Sequence, residues 1–297
     1  MILITGSTGN TGGELSRLLS ESGHEALCMT RRVEAQQDFE RRGIRAVLGD
    51  FDDPESLEKA LENVRSAFLV CTPDGDLEAR EIRFIDAARK AGVEKIVKVS
   101  ALLADPAAAS PNLRMHAAVE QHLKASGLRY TILQPNGFMQ TFFWMVAPAI
   151  QANGALLCPA GDGRCAMVDV RDVARAAWVA LTQDGHDGNT YRLTGPESLD
   201  MAALAERFSR VFGKPVGYMN VPPEPMMQEM RQMGVPENSV QHVAEVFRLI
   251  QEDQLSFTTS ALEELGIEPR NWERCAADLA SGATAMATSF NEPQASV

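Results

Sequence analysis

The sequence predicts an α/β fold, with a doubly wound parallel sheet followed by a small, mostly helical C-terminal region. Short apolar runs alternate with amphipathic helical patterns through the first half of the 297 residues. A glycine-rich segment, residues 6–13, joins the first apolar run to the first helical pattern. After Pro135 this alternation stops, and the chain becomes richer in Phe, Met and Trp. Regular alternation of strands and helices is typical of α/β folds.

Six apolar runs have the length of buried strands: residues 2–4, 26–29, 46–48, 67–70, 95–99 and 130–133. Helical patterns lie between them at residues 13–22, 33–42, 78–91 and 113–126, and an Asp-Pro-Glu-Ser stretch at 53–56 opens another helix. Apolar strands joined by helical crossovers form a parallel sheet that is covered on both faces. The order of elements therefore predicts a Rossmann-type sheet that starts with the first strand of the chain.

Beyond Pro135 the predicted elements are shorter. Strands are expected at 156–157, 166–168 and 190–193, and helices at 173–181, 200–212 and 223–252, the last broken at 234–236. Three parts follow from this pattern. They are a Rossmann core over 1–155, a mixed region over 156–284 that completes the core and forms a substrate lid, and a small, polar, disordered tail over 285–297.

Composition argues against several classes of function. The formal net charge is -12 and no basic run offsets it, which disfavours binding to nucleic acid or to an anionic membrane surface. No stretch approaches the roughly 18–20 apolar residues of a membrane span, and the first residues lack the basic segment of a signal peptide. The five cysteines are scattered, and no histidine stands at ligand spacing beside Cys158 or Cys165, so no metal site is expected. We expect a cytoplasmic protein with reduced thiols.

The glycine-rich segment Gly6-Ser7-Thr8-Gly9-Asn10-Thr11-Gly12-Gly13 predicts a dinucleotide site. Glycines at these spacings permit a tight turn, a close approach of backbone N–H groups to a diphosphate, and close packing of helix on strand. The helix N-terminus also favours negative charge. A glycine turn without a ligand is the alternative, but the position between the first strand and the first helix favours the dinucleotide. The predicted binding residues are Gly6, Thr8, Gly9, Asn10, Thr11 and Gly12.

The end of the second predicted strand indicates which dinucleotide is preferred. An acidic residue there would hold the ribose hydroxyls of NAD. This chain has Thr30-Arg31-Arg32 instead, and a guanidinium pairs well with a phosphate. Arg31 and Arg32 therefore predict a 2′-phosphate site and NADP, with NADPH preferred over NADH. The alternative is a solvated basic pair at the start of a helix.

Further cofactor contacts are expected where the other strands end, because ligands bind beyond the carboxyl ends of parallel strands. Asp50 and Phe51 follow the third strand, where they would border the adenine. The remaining candidates follow the fourth, fifth and sixth strands, and they are Cys71, Thr72, Pro73, Ser100, Pro135, Asn136 and Phe138.

Four segments resemble the NmrA-like group of atypical short-chain dehydrogenases. They are G-x-T-G-x-x-G near the N-terminus, G-D-x-x-D-x-x-S-L at 49–57, S-G-L-x-Y-T-I-L-x-P at 126–135, and V-D-V-R-D-V-A at 168–174. That group includes NADPH-dependent quinone oxidoreductases, triphenylmethane dye reductases, isoflavone-type reductases and non-catalytic redox sensors. The resemblance implies a dinucleotide domain with a small, variable substrate region. It also places the glycine-rich segment, Arg31 and the residues after strands four to six on the cofactor.

The chain departs from ordinary short-chain dehydrogenases at the catalytic Tyr-x-x-x-Lys pair. Its three tyrosines, at 130, 191 and 218, are followed four residues later by Gln134, Gly195 and Pro222. The position of the lysine is taken by His116, and His116 and Glu120 fall on one helical face. His116 is therefore a candidate to hydrogen-bond the nicotinamide ribose or to donate a proton. A histidine that only orders the helix face is the alternative.

These features predict an NADPH-dependent reductase of a flat aromatic acceptor, a quinone or a dye, because such acceptors take hydride with little need for a strong acid. The Met- and Phe-rich stretches suit a plastic apolar pocket, although core packing uses the same residues. The alternative function is a non-catalytic sensor of NADP(H), and an epimerase is disfavoured because it needs the tyrosine. The expected partner is a small aromatic substrate, with a homodimer possible or a protein partner for a sensor.

Overall fold

The computed structural model describes residues 1–72 and 75–281. Its first part alternates strands and helices: β1 (Ile2–Ile4), α1 (Asn10–Glu21), β2 (Ala26–Thr30), α2 (Val33–Arg41), β3 (Ala46–Leu48), α3 (Pro54–Ala60), β4 (Ser66–Leu69), α4 (Leu77–Lys90), β5 (Lys95–Val99), α5 (Pro111–Ala125) and β6 (Arg129–Pro135). The later elements are α6 (Met139–Asn153), β7 (Ala155–Cys158), β8 (Arg164–Cys165), α7 (Val170–Thr182), β9 (Thr190–Leu193), β10 (Leu199–Asp200), α8 (Met201–Phe212), β11 (Gly217–Asn220), α9 (Pro223–Gln232), α10 (Glu237–Gln251), α11 (Ala261–Glu264) and α12 (Trp272–Ala280).

The main sheet has seven strands in the order β3-β2-β1-β4-β5-β6-β9. Each pairing from β3 to β6 is parallel, and in β1 Leu3 lies opposite Leu27 on one side and Ala67 on the other. The strand order reverses beside β1, because β2 lies on one side of it and β4 on the other. Ligands bind at such a switch point, beyond the carboxyl ends of the strands. The predicted Rossmann-type sheet is confirmed.

The chain divides into two compact units that do not follow a single cut in the sequence. The first unit contains Met1–Ala108, Asn112–Gln134 and Val173–Tyr191. The second contains Ala109–Pro111, Pro135–Asp172 and the described residues from Arg192 onward. The core of the first unit is formed by apolar side chains of the central strands and of the helices that cover them, as expected for a parallel sheet covered on both faces.

Aromatic packing organises the core of the second unit. Phe208 lies edge-on to Trp272, with ring centroids 5.5 Å apart, and Phe143 lies edge-on to Phe208 at 5.7 Å. Phe142 meets Trp272 at 6.1 Å in the same manner. Edge-to-face pairs at these distances add to the stabilisation that burial alone provides. The aromatic residues of α6 therefore serve core packing, whereas its Trp144 is 52% exposed.

The small elements of the second unit differ most from the sequence prediction. The strand expected at 166–168 is wrong, because the strand is Arg164–Cys165 and Val168 makes only an isolated bridge to Phe138. The short elements β10, β11, α11 and α12 were not predicted. Two of them, β10 and α11, have only two and four residues, which is too short to show a hydrophobic period. The expected tail over 285–297 lies outside the described residues. Within the described part of the chain, no helix is both long and apolar enough to cross a bilayer.

The charged residues of the V-D-V-R-D-V-A segment, 168–174, form buried ion pairs. Asp169 is fully buried and accepts hydrogen bonds from the backbone and the guanidinium of Arg171, which also reaches Asp278 at 2.5 Å. Arginine pairing holds the pKa of the Asp169 carboxyl below its ordinary value, although burial alone would raise it. Asp172 accepts from the backbone N–H of Arg270 at 2.7 Å and pairs with its guanidinium at 2.5 Å. This segment therefore ties the start of α7 to α12 and to Arg270, which precedes it.

We expect the replacement Asp172→Ala to destabilise the protein by about 3–5 kcal/mol, because it leaves the Arg270 charge buried without a partner. The free energy of unfolding in denaturant measures this loss. Asp38→Ala is the control, since the ion pairs of Asp38 with Arg41 and Arg42 are exposed and such pairs contribute little. Equal losses in the two variants would contradict the structural role of the buried pair.

Candidate functional site

The turn between β1 and α1 requires glycine at two positions. Gly6 has a left-handed backbone conformation with φ 56°, and a Cβ on it would lie 2.6 Å from Cγ1 of Val70. A Cβ on Gly12 would lie 2.3 Å from the carbonyl oxygen of Gly6. The turn is closed by a hydrogen bond of 2.9 Å from the N–H of Gly9 to the same oxygen. The start of α1 thus packs directly against the backbone that leaves β1.

Neighbouring strands hold this turn in place. The hydroxyl of Ser7 donates to the carbonyl of Met29 in β2 at 2.7 Å. The hydroxyl of Thr5 lies 2.9 Å from the carbonyl of Val70, just beyond β4, and accepts from the N–H of the same residue. Thr5 and Ser7 are both buried. The turn is therefore fixed before any ligand arrives.

The electrostatics of the turn favour an anion. Gly9 caps α1 without a side chain, and the first turn of this helix carries no acidic residue. The positive end of the helix dipole is thus not compensated by its own first turn. The side-chain oxygen of Asn10 is buried and has no hydrogen-bond partner among the described residues, so a ligand hydroxyl or water would satisfy it. Among the other predicted residues, Gly6 and Thr8 are exposed and Thr11 is buried. The turn between β1 and α1 therefore fits a dinucleotide diphosphate.

Arg31 and Arg32 lie where the sequence placed them, directly after β2. Both are exposed, and Arg32 is the N-cap residue of α2. The backbone N–H of Arg32 bonds to the hydroxyl of Thr30 at 3.3 Å, which fixes the turn between strand and helix. Arg31 makes no ion pair with any residue in the described part of the chain. Its guanidinium is therefore available for a phosphate.

The two residues after β3 differ in their surroundings. Asp50 is half-buried, and its carboxylate accepts from the backbone N–H of Asp52 at 3.0 Å. Phe51 is buried and packs edge-on against Phe84 of α4, with centroids 5.6 Å apart. Its backbone carbonyl accepts from Arg83 at 2.6 Å. The side chain of Phe51 thus belongs to the core, and its contact with adenine stays a prediction.

The candidates after β4 and β5 lie in the first unit. Cys71 is half-buried and Thr72 is exposed, whereas Pro73 lies outside the described residues. Ser100 is buried, and its hydroxyl donates to the Glu120 carboxylate at 2.6 Å. The amide of Gln134 donates to the same oxygen at 2.8 Å. Glu120 therefore links the ends of β5 and β6 through hydrogen bonds. A contact of Ser100 with a cofactor stays a prediction.

His116, which the sequence placed at the lysine position, is half-buried on α5. Its Nδ1 lies 3.3 Å from Nζ of Lys98, the penultimate residue of β5. The same Nζ lies 2.5 Å from Oε2 of Glu81 on α4, and Lys98 and Glu81 are both fully buried. Burial raises the pKa of the Glu81 carboxyl, and the Lys98 ammonium opposes that shift.

Lys98 and Glu81 are not among the residues predicted from the sequence, although each carries a visible signal in it. Lys98 interrupts a strand that is otherwise buried on both faces, between Val97 and Val99. Glu81 falls four residues after Leu77 and three before Phe84, within the apolar stripe of α4. A charged residue in such a stripe needs a partner. Only the fold shows that the two residues are partners of each other.

The candidates after β6 belong to the second unit. Pro135 is buried and ends the strand. The Asn136 amide donates to the carbonyl of Leu255 at 3.1 Å, and its oxygen accepts from the N–H of Gly137 at 2.7 Å. Phe138 is half-buried and is the N-cap residue of α6. Asn136 therefore holds the chain within its own unit, and cofactor contacts by these residues stay predictions.

The parallel sheet with its reversed strand order defines a Rossmann-type fold. The glycine-lined turn and the uncompensated start of α1 lie at its switch point, where they are suited to an anion. The chain belongs to the NmrA-like family, whose match extends over residues 1–274. The resemblance inferred from the sequence motifs is thus confirmed.

The chain is similar to several characterised proteins. The chain is 33% identical over 256 residues to the NAD(P)H azoreductase of Xenophilus azovorans, which covers 86% of this chain and 89% of that protein. The crystal structure of the Citrobacter sp. triphenylmethane reductase complexed with NADP(H) is similar with a TM-score of 0.83 and 27% identity, over 94% of this chain and 99% of that one. The NADPH complex of quinone oxidoreductase QOR2 from Escherichia coli is similar with a TM-score of 0.84 and 26% identity, over the same shares.

Gly12→Ala should weaken the binding of NADPH and NADH by tenfold or more, on the order of 1.4 kcal/mol, because the added Cβ would force the turn open. Isothermal calorimetry on the purified chain measures both affinities, and circular dichroism verifies the fold. Gly13→Ala is the matched control, since its Cβ would meet the Ser7 carbonyl oxygen at an ordinary 3.4 Å. Unaltered affinity in Gly12→Ala would show that the turn does not hold the diphosphate.

Proposed function

We propose that this chain is an NADPH-dependent oxidoreductase that transfers hydride to a flat aromatic acceptor, a quinone or a dye. The observation that carries the proposal is the fixed turn between β1 and α1, whose glycines and uncompensated helix start are suited to a diphosphate. The relatives support the choice of reaction, because an azoreductase, a quinone oxidoreductase and a triphenylmethane reductase are among them. They favour turnover over the alternative of a non-catalytic sensor.

Different residues of the first unit would bind different parts of the dinucleotide. The backbone of residues 6–12 would hold the diphosphate, and Arg31 and Arg32 would hold the 2′-phosphate. Nicotinamide, when bound, supplies the hydride. The chain has no Tyr-x-x-x-Lys pair, so its contribution to the reaction is to position the acceptor, to exclude water and to offer hydrogen-bond donors. Acceptors that take hydride directly match such a site.

We also propose a cytoplasmic location and a small-molecule partner. None of the five cysteines, all of which lie in the described part of the chain, forms a disulfide, as expected in a reducing compartment. The net charge of -12 disfavours nucleic acid as a ligand. A homodimer stays a prediction that the sedimentation of the purified chain tests.

The proposed function predicts that the purified chain oxidises NADPH in the presence of quinones, azo dyes or triphenylmethane dyes. Loss of absorbance of the reduced nicotinamide, followed with a panel of these acceptors, measures the reaction. Tight NADPH binding without turnover of any acceptor would favour the sensor instead. If calorimetry detects no association with NADPH or NADH at millimolar concentration, neither function holds.

Arg31→Glu should lower the affinity for NADPH relative to NADH by about tenfold or more, because it replaces a phosphate partner by a repelling charge. The ratio of the two dissociation constants measures the change. Arg41→Glu is the matched control, since it alters the net charge equally and its exposed side chain pairs with Asp38 elsewhere on α2. An equal change of the ratio in both variants would indicate a general effect of charge rather than a 2′-phosphate site.

A further inference from the structure

The proposed reaction assigns no role to the buried pair of Lys98 and Glu81. Such a pair is costly to bury, and apolar residues of similar volume often replace one without loss of stability. Lys98 lies at the carboxyl end of β5, the edge of the sheet at which a Rossmann fold binds its ligands. Its position next to His116 therefore points to a role in the site.

The geometry around Nζ of Lys98 determines which atoms can accept its hydrogens. An ammonium has three N–H donors and no acceptor. Among the described residues, three atoms lie within hydrogen-bond distance of it: Oε2 of Glu81 at 2.5 Å, the carbonyl oxygen of Val99 at 3.2 Å, and Nδ1 of His116 at 3.3 Å. Because the ammonium can only donate, each of these three atoms must accept a hydrogen bond from it. Nδ1 of His116 therefore presents its lone pair to Lys98, and the ring hydrogen lies on Nε2.

We infer that Lys98 is a positioning residue that fixes the tautomer of His116, so that His116 offers an Nε2–H donor to acceptors that gain negative charge on oxygen or nitrogen. Glu81 holds the ammonium in place and balances its charge. The part of this inference that concerns the acceptors rests on the proposed function. The part that concerns the tautomer of His116 does not.

The acceptor classes differ in the charge that they develop. Hydride addition to a quinone leaves negative charge on a carbonyl oxygen, which then takes a proton from water to give the hydroquinone. An azo group likewise leaves negative charge on its second nitrogen, which takes a proton from water. In both reactions the two electrons come from reduced nicotinamide. A cationic triphenylmethane dye becomes neutral when its central carbon takes hydride, and no proton is needed. A positioned N–H donor thus assists the first two reactions and not the third.

The tautomer can be measured without any substrate. Two-bond proton–nitrogen correlation spectra of the full chain, with nitrogen-15 in its five histidines, distinguish a protonated from an unprotonated ring nitrogen, and His116→Gln assigns the resonances. We expect Nε2 of His116 to be protonated and Nδ1 unprotonated. A spectrum with the hydrogen on Nδ1, or one averaged over both nitrogens, would overturn the inference.

The double variant Lys98→Met/Glu81→Leu removes both buried charges together, which avoids leaving one of them alone. We expect the His116 ring to lose its single tautomer, and the ratio of kcat/KM for a quinone to that for a cationic triphenylmethane dye to fall about tenfold, a modest share of what one well-aligned donor contributes. The matched control is Lys90→Met/Glu58→Leu, which removes an exposed pair of the same residue types and should leave spectrum and ratio as they are. If the core variant does not fold, Lys98→Gln/Glu81→Gln serves in its place.

The two proposals fail in different ways. An Nε2–H tautomer in a protein that turns over no acceptor overturns the proposed function and supports the role of Lys98 in fixing the ring. Normal turnover with an unchanged quinone-to-dye ratio in the core variant overturns the role of Lys98 in selecting acceptors and leaves the reductase intact.

Discussion

The close approach of α1 to the end of β1 is the constraint on which the candidate site depends. Because Gly12 has no side chain, the helix begins against the carbonyl of Gly6, and its first N–H groups lie at the carboxyl edge of the sheet. Ser7 and Thr5 fix the same turn through hydrogen bonds to the backbone of Met29 in β2 and of Phe68 in β4. The site is thus held by central strands of the sheet, and a ligand need not order a flexible loop. Such preorganisation lowers the cost of binding.

Polar groups buried in the first unit serve the ends of its strands. Glu120 joins Ser100 after β5 to Gln134 in β6, and Lys98 with Glu81 joins β5 to α4. A sheet held by apolar contacts alone would define the direction of these strands but not the orientation of the polar side chains that follow them. Hydrogen-bonded carboxylates make that orientation unique. This explains why charged residues interrupt hydrophobic patterns at the functional edge.

Local sequence signals were sufficient for the first half of the fold and not for the second. β1 to β6 could be predicted because each apolar run lies between helical patterns of the expected length, and the glycine turn is local to residues 6–12. β8 pairs with β10, which lies more than thirty residues later, so neither two-residue strand has a signal of its own. Lys98, Glu81 and His116 come from three elements, and only the fold brings them together. The cofactor contact of Asn136 stays a prediction from topology, and the bond of its amide to Leu255 is one that no local pattern indicates.

Two features of the chain are chemically related. It lacks a Tyr-x-x-x-Lys pair, and it contains the Lys98–Glu81 pair. In ordinary short-chain dehydrogenases a lysine lowers the pKa of a tyrosine that exchanges the proton of an alcohol. Here a lysine donates to the ring of a histidine, and donation to Nδ1 directs the ring hydrogen to the opposite nitrogen. A neutral imidazole N–H is a weak acid but a good hydrogen-bond donor. A site of this kind stabilises charge that the acceptor itself can carry, as a quinone or an azo group does, and it leaves the final proton to water. Because the acceptor itself carries the negative charge, the reaction does not need the proton that a tyrosine would otherwise donate.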